Sequence, residues 1–187
     1  MNKVDAIKAF TSAVGPDDLI VCCNGMIGRE LYTVAERPQN FYMIGSMGLG
    51  LSIGIGLALA QPKRRVFVLD GDGNVLMGMN ALASAGSERP ANLYHIVLDN
   101  QTHASTGGQR TISGDVELEK VASAVGYRAT HRATDAESFA ASVRAAVQVP
   151  GPVMVLAVVE GGTIKGIGRV KETPPELTAR FSKEAQK

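Results

Sequence analysis

Val66-Phe67-Val68-Leu69-Asp70-Gly71-Asp72-Gly73-Asn74 decides how the rest of the 187-residue chain is read. Its first four residues form an unbroken β-branched, aromatic and aliphatic run, the pattern of a strand buried on both faces. Asp70 closes the strand and Gly71-Asp72-Gly73 turns the chain. Asn74 then stands where it can cap a helix over Val75–Ala85. Strand, glycine turn and helix make up half of a βαβ unit.

The same alternation runs outward in both directions. Upstream, Val4–Val14 has a helical pattern that Gly15-Pro16-Asp17-Asp18 ends. Leu19–Cys23 and Phe41–Ile44 read as short buried strands. Gly28–Ala35 and Met47–Ala60 read as helices. Downstream, strands are expected at Leu93–Leu98, Tyr127–Thr130 and Val153–Val159. Helices are expected at Val116–Val125 and from the capping box Thr134-Asp135-Ala136-Glu137 to Val147. Pro174-Pro175 opens a short terminal helix. Strands alternating with helices predict an α/β fold: a single three-layer domain with a mostly parallel six-stranded sheet and helices on both faces. It is expected to span residues 1–187, with 161–187 as a C-terminal tail. Gln101–Gly114 is the only long polar stretch between elements, and loops of that length commonly carry function.

Composition narrows the classes. With 45% hydrophobic and 20% charged residues the chain is globular. The formal net charge of +1, without a basic stripe interleaved with aromatics, points away from nucleic acid. Met1–Val14 is amphipathic rather than a signal sequence. Met47–Ala60 is apolar but too short to span a bilayer. The adjacent Cys22 and Cys23 are poor disulfide partners, and read as buried strand residues in a reducing, cytoplasmic compartment.

In an open parallel sheet, ligands bind beyond the carboxyl ends of the strands. Four successive strand ends carry Asn24-Gly25-Met26, Gly45-Ser46-Met47-Gly48, Gly71-Asp72-Gly73-Asn74 and Asp99-Asn100-Gln101-Thr102. Together they offer glycines, amides and one unpaired carboxylate. Glycines admit a phosphate close to the backbone, and a helix N-terminus favours anions. Asp72 could bridge a hard cation to a diphosphate, with the Asn100 amide oxygen and the Thr102 main-chain carbonyl as further oxygen ligands.

Gly71-Asp72-Gly73 followed some 27 residues later by Asn100 resembles the thiamine-diphosphate fingerprint of the pyruvate-decarboxylase-like enzymes. The resemblance implies Mg²⁺ on Asp72, Asn100 and Thr102. Asp99 departs from the usual Asn-Asn pair. Gly45-Ser46-Met47-Gly48 is similar to the loop that receives the aminopyrimidine. There Gly45 would accept from the 4′-amino group, and Met47 would wedge the cofactor into its bent form. Asn24-Gly25-Met26 is similar to the segment whose backbone touches the diphosphate, and Asn74 belongs to the same diphosphate side.

Three stretches resemble the phosphonopyruvate and sulfopyruvate decarboxylases: Gly25-Met26 with Arg29-Glu30-Leu31; His103-Ala104-Ser105-Thr106-Gly107-Gly108-Gln109; and Lys165 with Gly168-Arg169. By resemblance the chain is expected to act as a beta subunit that decarboxylates 3-sulfopyruvate to sulfoacetaldehyde and CO₂. The phosphonopyruvate reaction is the alternative. His103, Ser105 and Thr106 would face the thiazolium, and Arg29, Lys165 and Arg169 are candidates for the substrate's anionic group. The glutamate that bonds the pyrimidine N1′ in this family lies on a different domain. An alpha subunit is therefore expected to supply it, giving a hetero-oligomer, with self-association of the isolated chain through an apolar rim including Met47, Leu49 and Met77.

Two other readings stay open at this point. One is a nicotinamide dinucleotide fold, with Gly45, Gly48 and Gly50 opening a helix and Asp70 as the ribose-binding acid. The other is a non-catalytic cofactor-binding subunit.

Overall fold

Six apolar runs assemble into one sheet. In the computed structural model, which describes residues 1–162 and 164–187, the sheet strands are β1 (Leu19–Cys22), β2 (Asn40–Tyr42), β3 (Val66–Gly71), β4 (Leu93–Asp99), β7 (Ala129–Ala133) and β8 (Val153–Val158). All adjacent pairs are parallel, in the spatial order β2-β1-β3-β4-β8-β7. This is the expected α/β architecture. A short antiparallel hairpin, β5 (Thr102–His103) with β6 (Gln109–Arg110), projects from the end of β4.

The strands bury both faces, which is why they read as continuous apolar runs. Phe67 and Leu69 of β3 point to one side, under α1 (Lys3–Thr11), α2 (Met26–Ala35) and α7 (Ala136–Ala146). Val66 and Val68 point to the other, under α3 (Gly50–Ala60), α5 (Asn80–Glu88) and α6 (Leu118–Ala124). Gly54 lets α3 approach the sheet: a Cβ there would come within 2.2 Å of Val68 Cγ2. The last helix, α8 (Pro174–Ala185), covers the edge strand β2 and buries Leu177 and Phe181. It starts with a capping box between Thr173 and Glu176. Thr163 of the tail lies outside the described residues. No helix among the described residues is long and apolar enough to cross a membrane.

Several expected boundaries are corrected. Val75–Ala85 is not one helix capped by Asn74. It is α4 (Asp72–Met77) followed by α5, broken at Gly78, where a Cβ would lie 2.0 Å from the Gly48 carbonyl oxygen. Asn74 sits inside α4, and its Oδ1 accepts from Gly48 N at 3.0 Å. The Thr134 capping box does not form: Asp135 is the N-cap and accepts from Ser138 N at 2.9 Å. The strand expected at Tyr127–Thr130 lies at Ala129–Ala133, because Tyr127 is drawn into the core and the edge strand tolerates the polar His131 and Arg132.

Candidate active site

Strand order decides where a ligand can sit. The chain leaves β1 toward β2 and returns to place β3 on the other side of β1, so the β1/β3 boundary is a switch point. Crevices open at such points, beyond the carboxyl ends of the strands. Here an open cleft is lined by Lys3, the Asn24–Ile27 turn, Met47, Gly71–Asn74, Asn100 and Thr102–Ser105. The order differs from the 3-2-1-4-5-6 arrangement of dinucleotide folds. Asp70, the acid that reading required, is buried: its Oδ2 meets His95 Nε2 at 3.3 Å and its Oδ1 accepts from Gly71 N.

Gly25 ends the β1 turn at φ 92° and serves as N-cap of α2, so the first turn of that ten-residue helix faces the cleft. Its unsatisfied N–H groups and dipole favour an anion. Asn24 Oδ1 is buried there without a hydrogen-bond partner. Across the cleft stands Asp72. It is not the unpaired rim carboxylate expected from the sequence, being 2% exposed and held from behind. Thr111 Oγ1 donates to Asp72 Oδ2 at 2.5 Å, and Ser113 Oγ lies 3.2 Å from the same oxygen. Ser113 also donates to Asp99 Oδ1 at 2.7 Å. Burial pushes the Asp72 carboxyl above its ordinary value. The Thr111 and Ser113 bonds oppose that shift, and the nearby Asp99 adds to it.

Asp72 Oδ1 is left facing forward. The inward-facing atom of the Asn100 side-chain amide lies 3.1 Å from it and 2.9 Å from the Thr102 carbonyl oxygen. Were that atom the amide oxygen, three oxygens would meet there and would repel unless a cation joined them. Adjacent ligands of an octahedral Mg²⁺ bound at about 2.0–2.1 Å sit about 2.8–3.0 Å apart. Turning the amide over would instead aim its nitrogen at both oxygens as a donor. Without a cation the amide is satisfied nitrogen inward, donating to both oxygens; turned over, it would offer its oxygen to a hard cation. Among the described residues no cluster of three or more His, Cys, Asp or Glu side chains is arranged to hold a metal. The donor set at Asp72 is one carboxylate, one amide and one carbonyl, which suits a hard cation.

The His103 ring packs over Gly73, where an added Cβ would come within 2.8 Å of its Cε1 and 3.1 Å of Met47 Cε. This close approach is a physical reason for the second glycine of Gly71-Asp72-Gly73. The His103 carbonyl accepts from Thr106 N and Gly108 N, which closes the hairpin turn.

Of the residues expected at the site, Asn24, Gly25, Met26, Met47, Gly71, Asp72, Gly73, Asn74, Asn100, Thr102, His103 and Ser105 line one cleft. Gly45 and Ser46 line a neighbouring apolar groove with Ile44, Ile53 and Leu177. Thr106 is exposed and donates to Gln109 Oε1 at 2.8 Å rather than lining the cleft. Arg29, Lys165 and Arg169 do not line it either. Sequence reasoning missed Thr111 and Ser113, whose spacing in a polar loop carries no signal of their shared target. It also missed Lys3, which reaches the cleft from an N-terminal helix.

Comparison with known proteins shows the family. The family described as thiamine pyrophosphate enzyme, C-terminal TPP binding domain, matches residues 21–157. The chain belongs to this family. It is similar to the sulfopyruvate decarboxylase subunit beta of Methanothermobacter thermautotrophicus, 37% identical over 100% of this chain and 96% of that one. It is also similar to the phosphonopyruvate decarboxylase of Streptomyces viridochromogenes, 43% identical over 96% of this chain but 45% of that protein. The chain thus spans about half the length of some of its relatives. Among solved structures, the thiamine diphosphate-dependent 4-hydroxybenzoylformate decarboxylase of Rhodococcus jostii superposes with a TM-score of 0.73 at 19% identity, over 87% of this chain and 33% of that one, a likeness of fold.

Proposed function

We propose that this chain is the diphosphate- and Mg²⁺-binding beta component of a thiamine diphosphate-dependent decarboxylase that converts 3-sulfopyruvate to sulfoacetaldehyde and CO₂. The observation that carries the reading is the convergence of the Asp72 carboxylate, the Asn100 side-chain amide and the Thr102 carbonyl at the switch-point cleft. Those three would hold Mg²⁺, and the first turn of α2 with Asn24 and Gly25 would receive the diphosphate. When bound, the cofactor would supply a thiazolium ring as the sink for the electron pair left by departing CO₂. Thr111 and Ser113 keep the Asp72 carboxylate aimed forward. Met47 and Gly73 shape an apolar wall, and His103 and Ser105 present polar groups from the hairpin, where His103 can bond the substrate or move a proton. Two free, buried cysteines fit a reducing cytoplasm.

Asp72 is the only carboxylate among the described residues lining the cleft. The acid that bonds the pyrimidine must then come from elsewhere, and the beta-subunit relative, matched over 96% of its length, supports a separate alpha chain. Leu49 and Met77, 51% and 67% exposed, with Ile44 and Ile53 nearby, form an apolar rim suited to that partner, or to self-association in its absence. The likeness to a phosphonopyruvate decarboxylase favours 3-phosphonopyruvate as the second reading. The deciding experiment measures CO₂ release from 3-sulfopyruvate, 3-phosphonopyruvate and pyruvate, with and without the partner chain. A preference for an anionic substrate, seen only with the partner, is expected. Equal kcat/KM for all three, or full turnover by the single chain, would refute the proposal.

A further inference from the structure

We infer that Lys3 is the residue of this cleft that binds a phosphorus or sulfur oxyanion, and that Glu30 positions it. Lys3 is the first residue of α1, is only 3% exposed, and lines the same cleft as Asp72. Two local rules are broken there. A cation in the first turn of a helix opposes the dipole, and a buried ammonium loses its hydration. Such violations concentrate where function is served.

The pairing does not compensate for them. Lys3 Nζ lies 3.3 Å from Oε1 of Glu30, a fully buried residue of α2, a long contact, and no other group bonds either Glu30 oxygen. A buried ion pair without further hydrogen bonds to its carboxylate contributes little to stability. The ammonium keeps donors to spare, and Lys3 is the only lysine or arginine among the described residues lining the cleft. The three cations expected from the sequence to meet an anionic group, Arg29, Lys165 and Arg169, stand outside it. A compact ammonium with three donors suits a tetrahedral oxyanion as a point charge. Under the function proposed above, on which this inference rests, that oxyanion is either the diphosphate of the cofactor or the sulfonate or phosphonate of the substrate.

The test uses Lys3→Met, the charge-free double variant K3M/E30Q, which removes both buried charges together, and Lys3→Arg. Circular dichroism first confirms the fold. Two quantities are then measured on the full chain assembled with its partner: the Kd of thiamine diphosphate at fixed Mg²⁺, and kcat and KM for 3-sulfopyruvate and pyruvate. Losing a charge-assisted hydrogen bond is expected to weaken one of these ligands roughly 10- to 100-fold, with partial retention in Lys3→Arg. A rise confined to the Kd assigns the cofactor diphosphate. A rise in KM confined to 3-sulfopyruvate, with kcat and the pyruvate KM unchanged, assigns the substrate tail. Glu30→Gln should weaken the same ligand by a smaller factor. If K3M/E30Q keeps wild-type affinity for both ligands, the inference is wrong. If the wild-type protein binds no thiamine diphosphate, the underlying functional reading fails instead.

Discussion

Thr111→Val removes one hydroxyl and almost no volume, so it isolates what that hydroxyl does. It donates to Asp72 Oδ2 at 2.5 Å, in a buried site. The remaining neighbour, Ser113 Oγ, is 3.2 Å away and shares its one proton with the nearer Asp99 Oδ1 at 2.7 Å. In the variant, Asp72 Oδ2 keeps only that longer, shared contact. A hydrogen bond to a charged group contributes about 1.5–3 kcal/mol. Removing the outer-shell partner of a metal-binding carboxylate costs about 10- to 100-fold in metal affinity. The two figures agree, since about 1.4 kcal/mol is a factor of ten. The Kd of thiamine diphosphate at fixed Mg²⁺, measured by titration calorimetry, should therefore rise by that factor. Burial already raises the Asp72 carboxyl and the Thr111 bond opposes it. In the variant, binding should therefore fail at a higher pH on acidification than in the wild type. Ile112→Ala, at an exposed side chain between the two hydroxyls, should change neither quantity. Wild-type affinity and an unshifted acid limb in Thr111→Val would show that the hydroxyl cluster does not orient Asp72.

Gly73→Ala should push the His103 ring and Met47 Cε aside, since the new methyl would lie within 2.8 Å and 3.1 Å of them. Overpacking of this kind costs about 1–3 kcal/mol, read as a lowered Tm, and cofactor affinity should fall with it; an unchanged Tm would contradict the packing described. A pH series on Glu30→Gln tests the buried pair. Burial holds the Glu30 carboxyl above its usual 4.5, and Lys3 draws it only part of the way back. The folded protein thus keeps this proton longer than the unfolded chain, so the stability it contributes is full below pH 4.5 and is lost as pH rises through the folded value. The wild-type minus Glu30→Gln difference in unfolding free energy should decline as pH climbs above 4.5, and a flat difference would count against it.

The strands were legible because both faces of the sheet are covered, which leaves runs such as Val66–Leu69 and Val153–Leu156 apolar throughout. The strand-end residues Asp72, Asn100 and Thr102 were legible for a related reason: in a parallel sheet, the residues just past the strands gather at one edge. Features set by distant contacts were not legible. The break at Gly78 answers to the Gly48 carbonyl thirty residues earlier in the chain. The hydroxyls of Thr111 and Ser113 look like loop polarity until the hairpin folds them behind Asp72. Lys3 reads as an ordinary amphipathic-helix cation, and only the packing of α1 on α2 brings it to the cleft. Thr106 failed in the opposite sense: it shares a motif with His103, but the turn directs its hydroxyl to Gln109.

The decisive measurement is Mg²⁺-dependent binding of thiamine diphosphate to Asp72→Ala. Asp72 supplies the only carboxylate of the oxygen cluster, and its neighbours Asn100 and Thr102 bring no charge. The wild type, assembled with its partner, should bind the cofactor more tightly as Mg²⁺ is raised. In Asp72→Ala, by contrast, that Mg²⁺ dependence should be lost while the circular dichroism spectrum is retained. Equal Mg²⁺-dependent affinity in the two proteins would contradict the assignment of this cleft as the metal and cofactor site.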